Sequence, residues 1–240
     1  MKSKKLSLIT NLLLAFIVIS VFAVGIKPDR SVTISTQGEY GAIYRGSDDV
    51  FGVSLMFNVY ENKEVVQSII KLLKDNGITA TFFVGGCWAD DNQELLKSII
   101  DGGFELGNHG YFHKDHKKLN ELQNKKEIED CHKMVYTLTG YKMNLFAPPS
   151  GAYSKTTLKV TSELNYHTVM WSKDTIDWRD SDIKTIVKRA TENVKSGDLI
   201  LMHPKQHTLE ALPQIIEDIK GKNLKFLTVS ECCNLIPLKV

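Results

Sequence analysis

The chain has 240 residues, 42% of them hydrophobic and 24% charged, with a formal net charge of +2. That is material for one well-buried globular domain, with no fixed-period repeat and no low-complexity tract. A near-neutral balance without a long basic run argues against nucleic acid as the main partner.

Lys2, Lys4 and Lys5 precede an uncharged stretch from Leu6 to Ile26. About 20 apolar residues cross a bilayer as a helix, and a basic flank keeps the start of the chain inside. Residues 1–26 are therefore expected to be a membrane anchor, acting through residues 6–26, or a signal peptide cut near Ala23-Val24-Gly25. Either arrangement makes the remainder extracytoplasmic, anchored with the N-terminus inside or secreted after cleavage. Residues 27–46 are expected to be a linker with a short strand pair near Val32–Ile34 and Ile43–Tyr44, and residues 47–240 the folded domain.

From there short apolar runs alternate with amphipathic segments. Strands are expected at Gly52–Phe57, Thr79–Val84, Phe104–Leu106, Asn144–Phe146, His167–Trp171, Asp198–Met202 and Lys225–Val229. Helices are expected at Lys63–Asn76, Asn92–Asp101, Glu121–Leu138, Lys155–Leu164, Asp182–Lys195 and Leu209–Lys220. Gly77 and Gly140 suit helix ends, and Ser181 offers a hydroxyl to the amides that open the fifth helix. The alternation implies an α/β fold, a distorted and incomplete (β/α) barrel of about seven strands, with its chemistry on loops leaving the strands' C-terminal ends. Cys87, Cys131, Cys232 and Cys233 show no metal-ribbon spacing and are expected to be mostly buried apolar residues, a disulfide remaining open.

Those loops carry the polar chemistry. His109 and His113 stand four positions apart, a spacing that one helical turn would stack on one side to hold a zinc-type cation. A rigid turn, Ala147-Pro148-Pro149-Ser150-Gly151, follows the fourth strand, Asp174-Thr175-Ile176-Asp177-Trp178 the fifth, and Leu201-Met202-His203 closes the sixth. Three histidines, two aspartates and a tryptophan on one rim suit a metal-assisted hydrolase acting on a ring-shaped substrate.

From about residue 50 onward the chain resembles the polysaccharide deacetylase (NodB-homology) family of carbohydrate esterases. Its His-x-x-x-His motif is matched by His109 and His113, its Asp-x-x-Asp-Trp motif by Asp174, Asp177 and Trp178, and its Leu-x-His motif by Leu201-Met202-His203. The resemblance implies metal-dependent N-deacetylation of acetylated amino sugars in a cell-wall or spore glycan such as peptidoglycan. It implies a divalent metal, zinc by type, on His109 and His113, with His203 as the acid and Asp177 orienting it. Trp178, Pro149 and Gly151 would meet the substrate.

The chain departs from the family at three positions. The first motif, Thr-Phe-Asp-Asp-Gly, reads Met56-Phe57-Asn58-Val59-Tyr60, so the base is Asn58 and the metal aspartate Val59, while the arginine that pairs with the base is Ala147. A sporulation-associated branch of the family resembles this chain in its irregular first motif. His116, Asp90 and Asp91 are possible substitute ligands. The primary expectation is a deacetylase working with an altered base. The alternative is a catalytically impaired glycan-binding or scaffold domain that retains the cleft.

Overall fold

A computed structural model describes residues 41–235, so the expected anchor or signal at 1–26 and the strand at Val32–Ile34 lie outside the described residues. Among the described residues no helix is long and apolar enough to cross a membrane.

The strands are β1 (Ala42–Ile43), β2 (Gly52–Val59), β3 (Thr81–Val84), β4 (Glu105–Asn108), β5 (Leu145–Phe146), β6 (His167–Val169), β7 (Lys173–Asp174), β8 (Leu199–Met202) and β9 (Lys225–Phe226). Their order is β1-β6-β5-β4-β3-β2-β8-β7, all parallel, and β9 pairs with the start of β2. The eight-stranded path is an open, curled half-barrel. The expected incomplete barrel is correct in kind: six of the seven expected strands lie on that path, and the seventh is β9, beside the start of β2.

Eight helices stand among the described residues: α1 (Lys63–Asp75), α2 (Gly86–Asp91), α3 (Gln93–Asp101), α4 (Glu121–Thr139), α5 (Lys155–Glu163), α6 (Ile183–Thr191), α7 (Gln206–Gly221) and α8 (Val229–Cys232). β7, α2 and α8 were not anticipated, because segments this short carry no usable period. Ala42–Ile43, within the expected linker, forms a sheet edge by pairing in parallel with β6.

β2 is buried along its whole length, because both of its faces are covered. Val53, Leu55, Phe57 and Val59 join the apolar layer that includes Ile69 and Leu73 of α1, Ile128 of α4 and Ile215 of α7. Met56 joins a second layer with Ile43, Phe83, Leu145, Leu199 and the α8 residues Val229 and Cys232. Stacking of Phe57 on Phe82 at 5.1 Å and the edge contact of Phe82 with Phe104 at 5.3 Å tie β2 and β3 to the segment entering β4. Each such ring contributes about 1.5–3 kcal/mol by burial. Gly107 is required on β4, since a Cβ there would lie 2.3 Å from the Phe83 ring.

Gly140 ends α4 at φ 72°, and Gly77 takes φ 63° just past α1, both as expected. The cap of α6 is Asp182 rather than Ser181: its carboxylate accepts the Thr185 amide at 2.8 Å. Cys131, Cys232 and Cys233 are buried, Cys87 is half-buried, and all four thiols are free.

Candidate functional site

Because the strands are parallel, the C-terminal ends of β2, β4, β5, β7 and β8 share one rim. A cleft of about 320 Å³ opens there, and Asn58, His109, His113, Trp178 and His203 line it together with Tyr60, Ser150, Trp171, Asp174 and Leu201. The sequence thus named most of its walls.

The histidine loop is not a helical turn. Gly110 and His113 both have positive φ, 74° and 53°. The pair converges, with ring centroids 5.0 Å apart, because the loop is pinned from behind. Asn108 accepts the Gly110 amide at 2.9 Å and donates to the Ile128 carbonyl at 2.8 Å. Glu127, buried on α4, accepts the amides of Tyr111 and Phe112 at 3.0 and 2.8 Å and pairs with Lys114 at 2.9 Å.

His109 donates its Nδ1 hydrogen to the Ala147 carbonyl at 2.7 Å, which leaves Nε2 as a lone pair. Burial first, and then the neighbouring His113, push the His109 pKa well below its ordinary value. Burial also lowers that of His113. Tyr60 lies over His113 at 3.9 Å between ring centroids.

On the opposite wall His203 donates from Nδ1 to Asp177 at 2.7 Å, and its backbone amide reaches the other carboxylate oxygen at 2.7 Å. Thr208 adds a third hydrogen bond at 2.6 Å, and His207 Nε2 donates to the Asp177 carbonyl at 2.7 Å. Burial alone would raise the Asp177 pKa, but the bonds from His203 and Thr208 hold it below the usual aspartate range. The turn before it places Ile176 at φ 55°, a costly conformation for a β-branched residue. Hydrogen bonds from Ile176 to Asp174 at 2.8 Å and from Thr175 to Leu201 at 2.8 Å hold it there.

Pro149 is buried, and Gly151, at φ 65°, leaves room for Trp171, whose ring a Cβ would meet at 2.8 Å. Trp178 is 53% exposed with Arg179 over its ring.

The three replaced positions separate. Asn58 faces the cleft at 2% exposure, with no hydrogen-bond partner for Oδ1 among the described residues. Ala147 is buried and gives its carbonyl to His109. Val59 is wholly buried in the helix-side apolar layer.

The proposed substitutes do not repair the loss. His116 is buried outside the cleft, donating to Asn124 at 2.8 Å and lying 4.9 Å from the Phe146 ring. Asp90 and Asp91 line a separate surface hollow beside Lys63 and Glu94. A catalytic zinc takes three protein ligands, and of the family's ligand set only His109 and His113 remain here, while His203 on the opposite wall is tied through Nδ1 to Asp177. Among the described residues no group of three or more His, Cys, Asp or Glu is arranged to hold a metal ion. The expected divalent metal does not fit this donor set.

The polysaccharide deacetylase family model matches residues 46–169, just over half of the chain. The chain belongs to the polysaccharide deacetylase family. Within that hydrolase family it is 34% identical to the Bacillus subtilis protein YlxY over 79% of the chain. That match spans 59% of YlxY's length. It is 32% identical to the peptidoglycan-N-acetylmuramic acid deacetylase PdaA of Bacillus subtilis, over 85% of this chain and 80% of that one. Among solved structures, a CE4 family pseudoenzyme from Bacillus anthracis superimposes with a TM-score of 0.78 at 32% identity, covering 82% of this chain and 70% of that one. A mutant of that pseudoenzyme with restored enzymatic activity superimposes equally well, with a TM-score of 0.78 at 30% identity.

These findings correct the primary expectation. A deacetylase fold is present, but the likeness to a pseudoenzyme and the lack of a metal-holding group among the described residues argue against metal-dependent N-deacetylation by this chain. Sequence reasoning gave no role to Tyr60, Trp171, Asn108 or Glu127. Glu127 was detectable, since it and Asn124 interrupt the otherwise apolar buried stripe of α4 at Ile128, Cys131 and Val135.

Proposed function

We propose that this deacetylase-family domain binds cell-wall amino-sugar glycan in a cleft that has lost its chemistry. The observation that carries the reading is Asn58 at the base position of a cleft that is still walled by aromatic rings, with an apolar, core-packed Val59 in place of the first motif's second carboxylate. An asparagine amide is no proton acceptor near neutral pH, and removing a general base alone costs about 10²–10⁴ in rate. With Val59 offering no ligand atom, no Lewis acid offsets that loss.

What remains suits binding. Tyr60, Trp171 and Trp178 offer flat faces to sugar rings, and His203, oriented by Asp177, presents Nε2 as a polar contact. Pro149 and Gly151 shape the wall. The peptidoglycan specificity in PdaA's name supports peptidoglycan or a related N-acetylated polysaccharide as the partner, and with it an extracytoplasmic location.

Sedimentation with insoluble peptidoglycan tests this. The purified chain should pellet with the glycan, and Trp178→Ala should remain largely in the supernatant at an unchanged melting temperature. A wild-type chain that stays in the supernatant would end the glycan reading.

A further inference from the structure

We infer that the sugar seated in this cleft is a deacetylated one, held by its protonated amine. The inference rests on the glycan-binding reading and narrows it.

Two deeply buried polar atoms of the cleft are acceptors without a donor among the described residues: Asn58 Oδ1, on a residue 2% exposed, and His109 Nε2, on a residue 1% exposed. The nature of the second atom follows from geometry. A carbonyl oxygen can only accept, so the contact from His109 Nδ1 to the Ala147 carbonyl fixes the proton on Nδ1 and leaves Nε2 a lone pair. Buried acceptors are normally matched by donors, and both of these line one cavity.

The surroundings favour a cation as the donor. Asp174 lines the cavity and spends Oδ1 on the Ile176 amide at 2.8 Å. Three aromatic rings border it, and ring faces attract ammonium groups. No lysine or arginine is among its lining residues; nearby Lys205 is engaged by Glu61, and Arg179, which covers one face of Trp178, by Asp180, which leaves Tyr60 and Trp171 as the rings without a cation of the chain over them among the described residues. An acetamide brings a single N–H donor together with a carbonyl oxygen that itself accepts, whereas the two unpartnered atoms here both accept. An ammonium group brings several N–H donors and the missing positive charge.

Calorimetric titration with a glucosamine tetramer and an N-acetylglucosamine tetramer, in buffer that keeps the amine protonated, tests this. The glucosamine tetramer should bind about tenfold more tightly. Asn58→Leu should erase that preference and Asn58→Asp should enlarge it, with circular dichroism confirming that both variants fold. Equal affinities, or tighter binding of the acetylated tetramer, would overturn the inference and leave the glycan reading standing. Binding of neither tetramer, with peptidoglycan still pelleting the chain, would overturn the inference alone. Loss of both would overturn the parent reading as well.

Discussion

Asn58 and Val59 are adjacent in sequence, yet one lines the cleft and the other packs into the apolar layer beneath the helices. This follows from strand parity, which sends successive side chains of β2 to opposite faces. The chain has therefore lost a base on one face and fitted an apolar side chain on the other.

Val59→Asp should lower stability by about 2–5 kcal/mol, the order expected for an unpaired carboxylate placed among apolar side chains. Urea unfolding of the variant measures it. An unchanged midpoint would mean that position 59 opens to the cleft.

Asp177→Asn replaces a carboxylate that accepts three hydrogen bonds, from His203 twice and from Thr208. An amide cannot accept at both ends, so the variant should lose about 1–3 kcal/mol. Its His203 ring should also lose its fixed orientation, visible as averaged imidazole NMR signals. A sharp spectrum at wild-type stability would contradict the packing described.

Acid should destabilise the domain from near pH 6.5 downward. Burial holds the rings of His109, His113 and His116 below their ordinary value of 6.5, so the folded state keeps them neutral while the unfolded chain takes up protons. Their contribution is fully present above 6.5 and is lost as pH falls below it. Asp177, depressed below its ordinary 3.8, adds a second loss as pH falls through its folded value. Denaturation midpoints across a pH series check the first step, and His116→Gln should make it shallower. Midpoints that stay flat from neutral pH to about pH 5 would contradict the assignment of buried neutral rings.

Gly151→Ala places a methyl group against Trp171 at a backbone φ of 65°. Strain and displacement together should cost about 1–3 kcal/mol and shift the tryptophan emission. Wild-type emission and stability would show that the Pro149–Gly151 turn does not position that wall.

Strand and helix alternation made the half-barrel and its rim legible, and the places of His109, His113, Trp178 and His203 just after strand ends put them on that rim. The means of assembly was not legible. The spacing of the histidine pair suggested a helical turn, whereas the structure uses a loop with two positive φ values tied down by Glu127 and Asn108. That backbone is dictated by contacts with α4, which local spacing does not encode. Tyr60 escaped notice for a related reason: it stands at a glycine position of the family motif, and only the folded loop brings its ring to 3.9 Å from His113.

Acetate release from N-acetylated glycan, measured with added zinc at saturating substrate, tests the central claim most directly. A cleft with Asn58 for its base and two histidines for its metal should release none above the level without protein. Steady acetate production by the wild-type chain, abolished in His203→Ala, would contradict it.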